Sequence, residues 1–224
     1  MIEIKNVKKS YGKKEILNNV SLMCEKGCIV GIIGKNGCGK STLLSIMAGT
    51  LKADEGQICY FGEDAQKNKN VFAQYVGYVP QENPLILELS AKDNLKLWYA
   101  DSKRNLEQDI KEGILFDLGI GAFLKKKIRH LSGGMKKKVS IACAVAKDAA
   151  ILILDEPGAA LDLPSKEDIR KYLRKFADDG GIVLLTSHEE AEFAICDVIY
   201  ALKDGVLCEV TKDMSAKEMV EKYF

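Results

Sequence analysis

The sequence predicts an α/β fold, a sheet-based core interrupted by an inserted helical subdomain. Three observations carry that expectation. Short apolar runs alternate with amphipathic stretches along the chain. A glycine-rich loop stands between one of those runs and the first helical pattern. From about residue 90 to residue 146 the pattern turns helical, with strand-rich segments on either side. No internal repeat, low-complexity block or Pro/Ser-rich linker divides the chain, so it reads as one compact unit with an insertion.

Taken in order, Ile2 and Ile4 alternate with Glu3 and Lys5, the period of a half-buried strand. Cys28 to Ile33 is a short apolar run ending at Gly34, as a buried strand does. In Lys40 to Gly49, the residues Leu43, Leu44, Met47 and Ala48 share one helical face, and Gly49 is the stop. Further strands are expected at Gln57 to Phe61 and Tyr75 to Val79. Leu106, Ile110, Ile114, Leu115 and Leu118 recur at helical spacing before Gly119. Strand signals return at Ile151 to Leu154 and Ile182 to Leu185, then at Val198 to Leu202 and Val206 to Val210.

Composition narrows the class. The 224 residues are 47% hydrophobic and 29% charged, enough apolar material for a sizeable core. Lys plus Arg number 33 against 32 Asp plus Glu, so no nucleic-acid partner is expected, since such binders carry a basic excess. No apolar run exceeds six residues, whereas a membrane-spanning helix needs roughly 20. The first residues lack the apolar block of a signal peptide, and a cytoplasmic location is expected. Seven cysteines, no CxxC pair and two histidines make a disulfide framework or zinc site unexpected. Most cysteines read as small buried apolar residues.

The strongest local signal is Gly34-Lys35-Asn36-Gly37-Cys38-Gly39-Lys40-Ser41-Thr42, a GxxxxGK[ST] pattern between a strand and a helix. Glycines let successive backbone N–H groups turn into an anion nest, and the following helix aims its positive end at the same point. Lys40 neutralises β- and γ-phosphate oxygens, and the Ser41 hydroxyl joins a magnesium shell. A glycine-rich turn before an ordinary helix is the plain alternative, and the flanking elements favour the nucleotide site. Cys38 at a helix start raises the question of a lowered thiol pKa, although a spacer role is the favoured reading.

Ile151 to Leu154 runs straight into Asp155 and Glu156. A buried strand of this kind delivers its acid to the carboxyl edge of a parallel sheet, beside the phosphate loop. Asp155 then holds magnesium through water, and Glu156 orients or deprotonates the attacking water. A strand ending in solvated acids before Pro157 is the alternative, and the loop upstream favours catalysis.

Leu131-Ser132-Gly133-Gly134-Met135 opens a helix with Ser132 as N-cap. With the two preceding motifs, the chain resembles the ATP-binding subunits of ABC transporters along essentially its whole length. The resemblance implies a P-loop NTPase core with a mixed sheet, a small antiparallel β subdomain and an inserted helical subdomain. Core and β subdomain would occupy about 1–81 and 150–224, and the helical subdomain about 82–149, of a single domain 1–224. It implies ATP and Mg2+ as ligands, bound by Gly34, Asn36, Gly37, Cys38, Gly39, Lys40, Ser41 and Thr42. By the same resemblance Tyr11 stacks on adenine, and Gln81 links the nucleotide site and its magnesium to the helical subdomain. Asp162, in Ala160-Leu161-Asp162, lies on a loop crossing a dimer interface, and His188 contacts the γ-phosphate. Catalytic roles are thus implied for Glu156, His188, Gln81 and Lys40, and magnesium contacts for Ser41, Gln81 and Asp155.

The Ser132, Gly133 and Gly134 corner forms a second anion site at a helix start. In the family it faces the γ-phosphate held by the opposite chain, so a homodimer or related heterodimer sandwiches two nucleotides. A separate transmembrane permease is the implied partner, with the chain peripheral on the cytoplasmic face. The segments Glu88 to Leu95 and His188 to Glu192 resemble drug and peptide exporter ATPases, and with the sequence ending at Phe224 an importer's regulatory domain is not expected. An importer subunit, or a non-transport ABC ATPase regulating a membrane complex, is the alternative. Departures from the family are Met135 for glutamine, Cys143 for arginine, and Gly158-Ala159 after Pro157. The triplets Lys125-Lys126-Lys127 and Lys136-Lys137-Lys138 read as solvated faces.

Overall fold

The computed structural model describes residues 1–210; the stretch of core expected over 211–224 lies outside the described residues. The chain opens with two long antiparallel strands, β1 (Ile2–Tyr11) and β2 (Lys14–Cys24). Then come β3 (Ile29–Ile33), α1 (Lys40–Met47), β4 (Glu55–Tyr60), β5 (Glu63–Asp64), α2 (Asn70–Tyr75) and β6 (Val76–Val79). The helical block holds α3 (Ala91–Tyr99), α4 (Leu106–Glu112), α5 (Ile114–Asp117) and α6 (Gly133–Val145). The closing segment alternates β7 (Ile151–Asp155), α7 (Leu163–Asp178), β8 (Ile182–Thr186), α8 (Glu190–Phe193), β9 (Val198–Lys203) and β10 (Val206–Val210).

Two sheets result. One is antiparallel, in the order β2-β1-β4-β5; the other is mixed, in the order β10-β9-β3-β8-β7-β6, parallel except where β10 meets β9. Both faces of the six-stranded sheet are covered, which is why β3, β7 and β8 read as unbroken apolar runs. Period two sorts their side chains: Leu152, Leu154, Val183 and Leu185 pack with the helical block. Ile151, Ile153, Ile182 and Leu184 pack with α1 and the antiparallel sheet.

The entrance of β3 is tied down on several sides. Asp197 Oδ2 accepts from the Ile29 N–H at 2.8 Å and from Arg174 Nη1 at 2.9 Å. Arg174 Nη2 also donates to the Gly27 carbonyl at 2.8 Å. At the other end of the strands, Ile32 stands opposite Thr186, and Thr186 opposite Asp155. The loop after β3 and the acids after β7 therefore emerge at one level.

Several elements differ from the sequence reading. The helical spacing from Leu106 to Leu118 is split in two, because Gly113 takes an extended backbone (φ −110, ψ −154). Tyr75, expected in a strand, ends α2, and Phe61 lies past β4 in a left-handed turn at φ 51. Strand β2 carries no clean period-two signal, because Asn18 and Asn19 break its alternation, Asn19 at φ 53 where the pairing register shifts. Of the seven cysteines only Cys24, Cys143 and Cys196 are buried; Cys28, Cys38 and Cys59 are half-buried and Cys208 is exposed. Among the described residues no helix is long and apolar enough to cross a membrane.

Candidate functional site

The loop from Gly34 to Gly39 turns the chain from β3 into α1. Gly39 holds φ 113, a left-handed conformation that costs other residues free energy, and a Cβ there would lie 2.8 Å from Ile16 Cγ2. No side chain caps α1, so its leading N–H groups face the loop interior. Lys40 is 6% exposed, and its Nζ donates to the carbonyls of Gly34 at 2.7 Å and Lys35 at 3.2 Å. The ammonium is thereby held over the loop. A cavity of about 390 Å³ opens here, lined by Asn36, Gly37, Gly39, Lys40, Ser41, Thr42, Ile16, Gln81 and Glu156.

The acids arrive from β7. Asp155 is buried, and its Oδ1 accepts the Thr186 hydroxyl at 2.6 Å. The same hydroxyl oxygen accepts the Glu156 N–H at 3.0 Å, while Glu156 itself turns at φ 47. That left-handed turn sends the two carboxylates in different directions. Glu156 Oε2 accepts from Gln81 Nε2 at 3.0 Å, and its Oε1 lies 3.4 Å from His188 Nε2. The carboxylate at the cavity wall is therefore hydrogen-bonded by Gln81 on one side and flanked by His188 on the other. Ser41 and Gln81 line the cavity with Lys40, and Asp155, bonded by Thr186, ends the strand that runs into Glu156. A hydroxyl, a side-chain amide oxygen and a carboxylate are hard oxygen donors of the kind that suit magnesium rather than a soft metal.

The remaining predicted residues lie elsewhere. Ser132 caps α6, accepting the Met135 N–H at 3.3 Å. A Cβ on Gly134 would come within 2.3 Å of Ser165 Cβ, so the absence of a side chain lets α6 meet the start of α7. Asp162 caps α7, accepting from the Ser165 N–H at 2.8 Å and the Ser165 hydroxyl at 3.0 Å. Those bonds lower its carboxyl pKa, the backbone one foremost. Ser132, Gly133, Gly134 and Asp162 thus form one corner, and none of them lines the phosphate cavity. Tyr11, 53% exposed at the end of β1, does not line it either; Lys9 Nζ sits 5.7 Å from its ring centroid.

One sequence reading needs correction. Lys137 and Lys138 are not on a solvated face: they are 3% and 8% exposed. Lys137 Nζ donates to the carbonyls of Pro80 at 3.1 Å and Gln81 at 3.0 Å, and Lys138 pairs with Asp168 at 2.6 Å. Their spacing from Gly134, Ile141 and Ala142 was the available signal, since these share a helical face. Lys125, Lys126 and Lys127 are exposed as expected. Burial pushes the Cys38 thiol up, against the lowering that a helix start alone would give. Cys143, another departure from the family pattern, packs in the core with its thiol raised to about 12. Sequence reasoning also missed Thr186, whose β-branched hydroxyl closes the strand ends, and Ile16, which packs against Gly39.

Residues 17–159 match the family model described as ABC transporter. The chain is 33% identical over 219 residues to the linearmycin resistance ATP-binding protein of Bacillus subtilis, covering 94% of this chain and 68% of that one. It is 31% identical over 225 residues to a lantibiotic transport ATP-binding protein of Streptococcus pyogenes, covering 100% of this chain and 96% of that one. Identity to a sulfate/thiosulfate import ATP-binding protein of Acinetobacter baylyi is 35% over 229 residues, covering 99% of this chain and 64% of that one. Among solved structures, a dimeric ATP-binding cassette in a post-hydrolysis state with ADP and Pi superposes with a TM-score of 0.82 at 30% identity. That match covers 96% of this chain and 100% of the cassette.

Proposed function

The chain belongs to the ABC transporter family as an ATP-binding, ATP-hydrolysing subunit, and from that premise we propose how its own residues bind and split the nucleotide. The loop amides of Gly34 to Gly39, with Thr42, receive the phosphates, and Lys40 moves from the loop carbonyls to the β- and γ-phosphate oxygens. Ser41, Asp155 and Gln81 provide the oxygen positions for magnesium, which when bound neutralises charge on those phosphates. Tyr11 stacks on the adenine ring.

Glu156 is the general base. It takes a proton from water as the water oxygen bonds to the γ-phosphorus; the bond to the leaving oxygen breaks, giving ADP and phosphate. Gln81 holds the carboxylate from one side, and His188 meets the γ-phosphate from the other. The observation that carries this reading is the Glu156 carboxylate held between Gln81 and His188 at the wall of the Lys40 cavity.

The Ser132, Gly133 and Gly134 corner completes the site of a second copy or a related chain, with Asp162 at the interface. Its separation from the phosphate cavity within one chain supports such a dimer. The core and β subdomain, about 1–81 and 150–224, would carry the phosphate loop, and the helical subdomain, about 82–149, the corner. A separate transmembrane permease would receive the motion, with this chain peripheral on its cytoplasmic face. The names of the linearmycin and lantibiotic relatives favour export; the sulfate/thiosulfate relative keeps import as a second reading.

Glu156→Gln tests the chemistry. Removal of a general base costs roughly 10²–10⁴ in rate, so kcat should fall at least about a hundredfold while an ATP-bound dimer accumulates on size-exclusion chromatography. Parental turnover in that variant would refute the assignment.

A further inference from the structure

Helix α6 has a second attachment besides its capped start. One turn in, Lys137 Nζ donates to the Pro80 and Gln81 carbonyls at 3.1 and 3.0 Å. A further turn on, the Ser140 hydroxyl donates to Asn83 Oδ1 at 3.0 Å. The segment from Pro80 to Asn83 is thus pinned along the helix at three places. Each pin is made by a residue that burial would otherwise favour as apolar.

A lysine at this depth is an expensive way to fill space. Burial lowers its pKa, while Asp155, Glu156 and Glu192 favour its charged form. The return is directional: successive carbonyls are fixed, and the Gln81 side chain is left pointing at Glu156 Oε2. A misplacement of about 1 Å at such groups costs up to about a hundredfold in rate.

We propose that Lys137 is a positioning residue for hydrolysis: by holding the Pro80 and Gln81 carbonyls it sets Gln81 on Glu156 and ties that contact to α6. The start of the same helix, Ser132 to Gly134, serves the nucleotide of the opposite chain. Each α6 therefore joins the two ATP sites, and engagement of one at its start shifts Gln81 in the other. The inference rests on the roles given to Gln81 and Glu156 above.

A double-mutant cycle tests it. Lys137→Met should lower kcat about tenfold and leave the Kd for a fluorescent ATP analogue within about twofold, as expected for placement rather than binding. In a Gln81→Ala background the same substitution should change kcat less than about twofold, because its effect passes through Gln81. Lys137→Gln, which keeps N–H donors, should be faster than Lys137→Met. Equal losses in both backgrounds, a parental rate for Lys137→Met, or a parallel loss of nucleotide affinity overturns the proposal. If Lys137→Met does not fold, Lys137→Gln, whose shorter side chain cannot span both carbonyls, takes its place in the cycle. A loss of kcat confined to the Gln81-containing background then supports the proposal, and a parental rate or an equal loss in both backgrounds overturns it. A slow Gln81→Ala beside a fast Lys137→Met sinks this inference alone. A Gln81→Ala variant at the parental rate sinks the Gln81 assignment beneath it.

Discussion

Helices α1 and α6 both begin at glycine-bearing corners, yet they use glycine differently. At α1, Gly39 is needed for its backbone angle (φ 113), and no side chain caps the helix. At α6, Gly134 is needed for close approach to Ser165, and Ser132 supplies an ordinary cap. The unsatisfied N–H groups at α1 are open to a ligand, and a lysine stands over them. The Ser132 oxygen already accepts Met135 N–H, which leaves its own O–H as the donor available to a partner. One corner is a cradle; the other is a fixed surface that another chain can use.

Three substitutions sharpen that contrast. The largest effect is expected for Lys40→Ala, which removes charge-assisted bonds to phosphate and should weaken ATP binding roughly a hundredfold by calorimetry. Undiminished affinity would erase the distinction between the corners. Gly134→Ala should leave monomer ATP affinity alone and destabilise the fold by about 2 kcal/mol in urea titration, through overpacking against Ser165. Ser165→Gly in that background should restore most of the loss. The smallest effect is Ser132→Ala: about 1 kcal/mol for the lost cap, with a weaker ATP-dependent dimer and the same monomer affinity. A fall in monomer affinity would place Ser132 in the phosphate cradle after all.

The parts of the molecule with strict period or spacing were legible in the sequence. Strands β3, β7 and β8 read as apolar runs because the sheet is covered on both faces. The phosphate loop was legible because its glycines, lysine and serine act within nine consecutive residues. What required coordinates was long-range. Gln81 and Glu156 lie 75 residues apart, and nothing local says that their side chains meet. Lys137 sat in a lysine triplet, and composition there suggested solvent where helical phase placed it against a backbone loop. Helix α7 is so rich in charge that its apolar stripe of Ile169, Tyr172, Leu173 and Ala177 is thin, though Asp162 and Pro164 mark its start.

The tie at the entrance of β3 has a consequence at the opposite end of the strand. Arg174 and Asp197 act as an index stop, fixing where the strand begins between its two neighbours. A slip of one residue would turn every side chain to the opposite face of the sheet. Five residues later, about 17 Å away, the same stop sets how far the cradle stands above the acids on β7. The alignment of lysine and carboxylate is thus calibrated by an ion pair that touches neither.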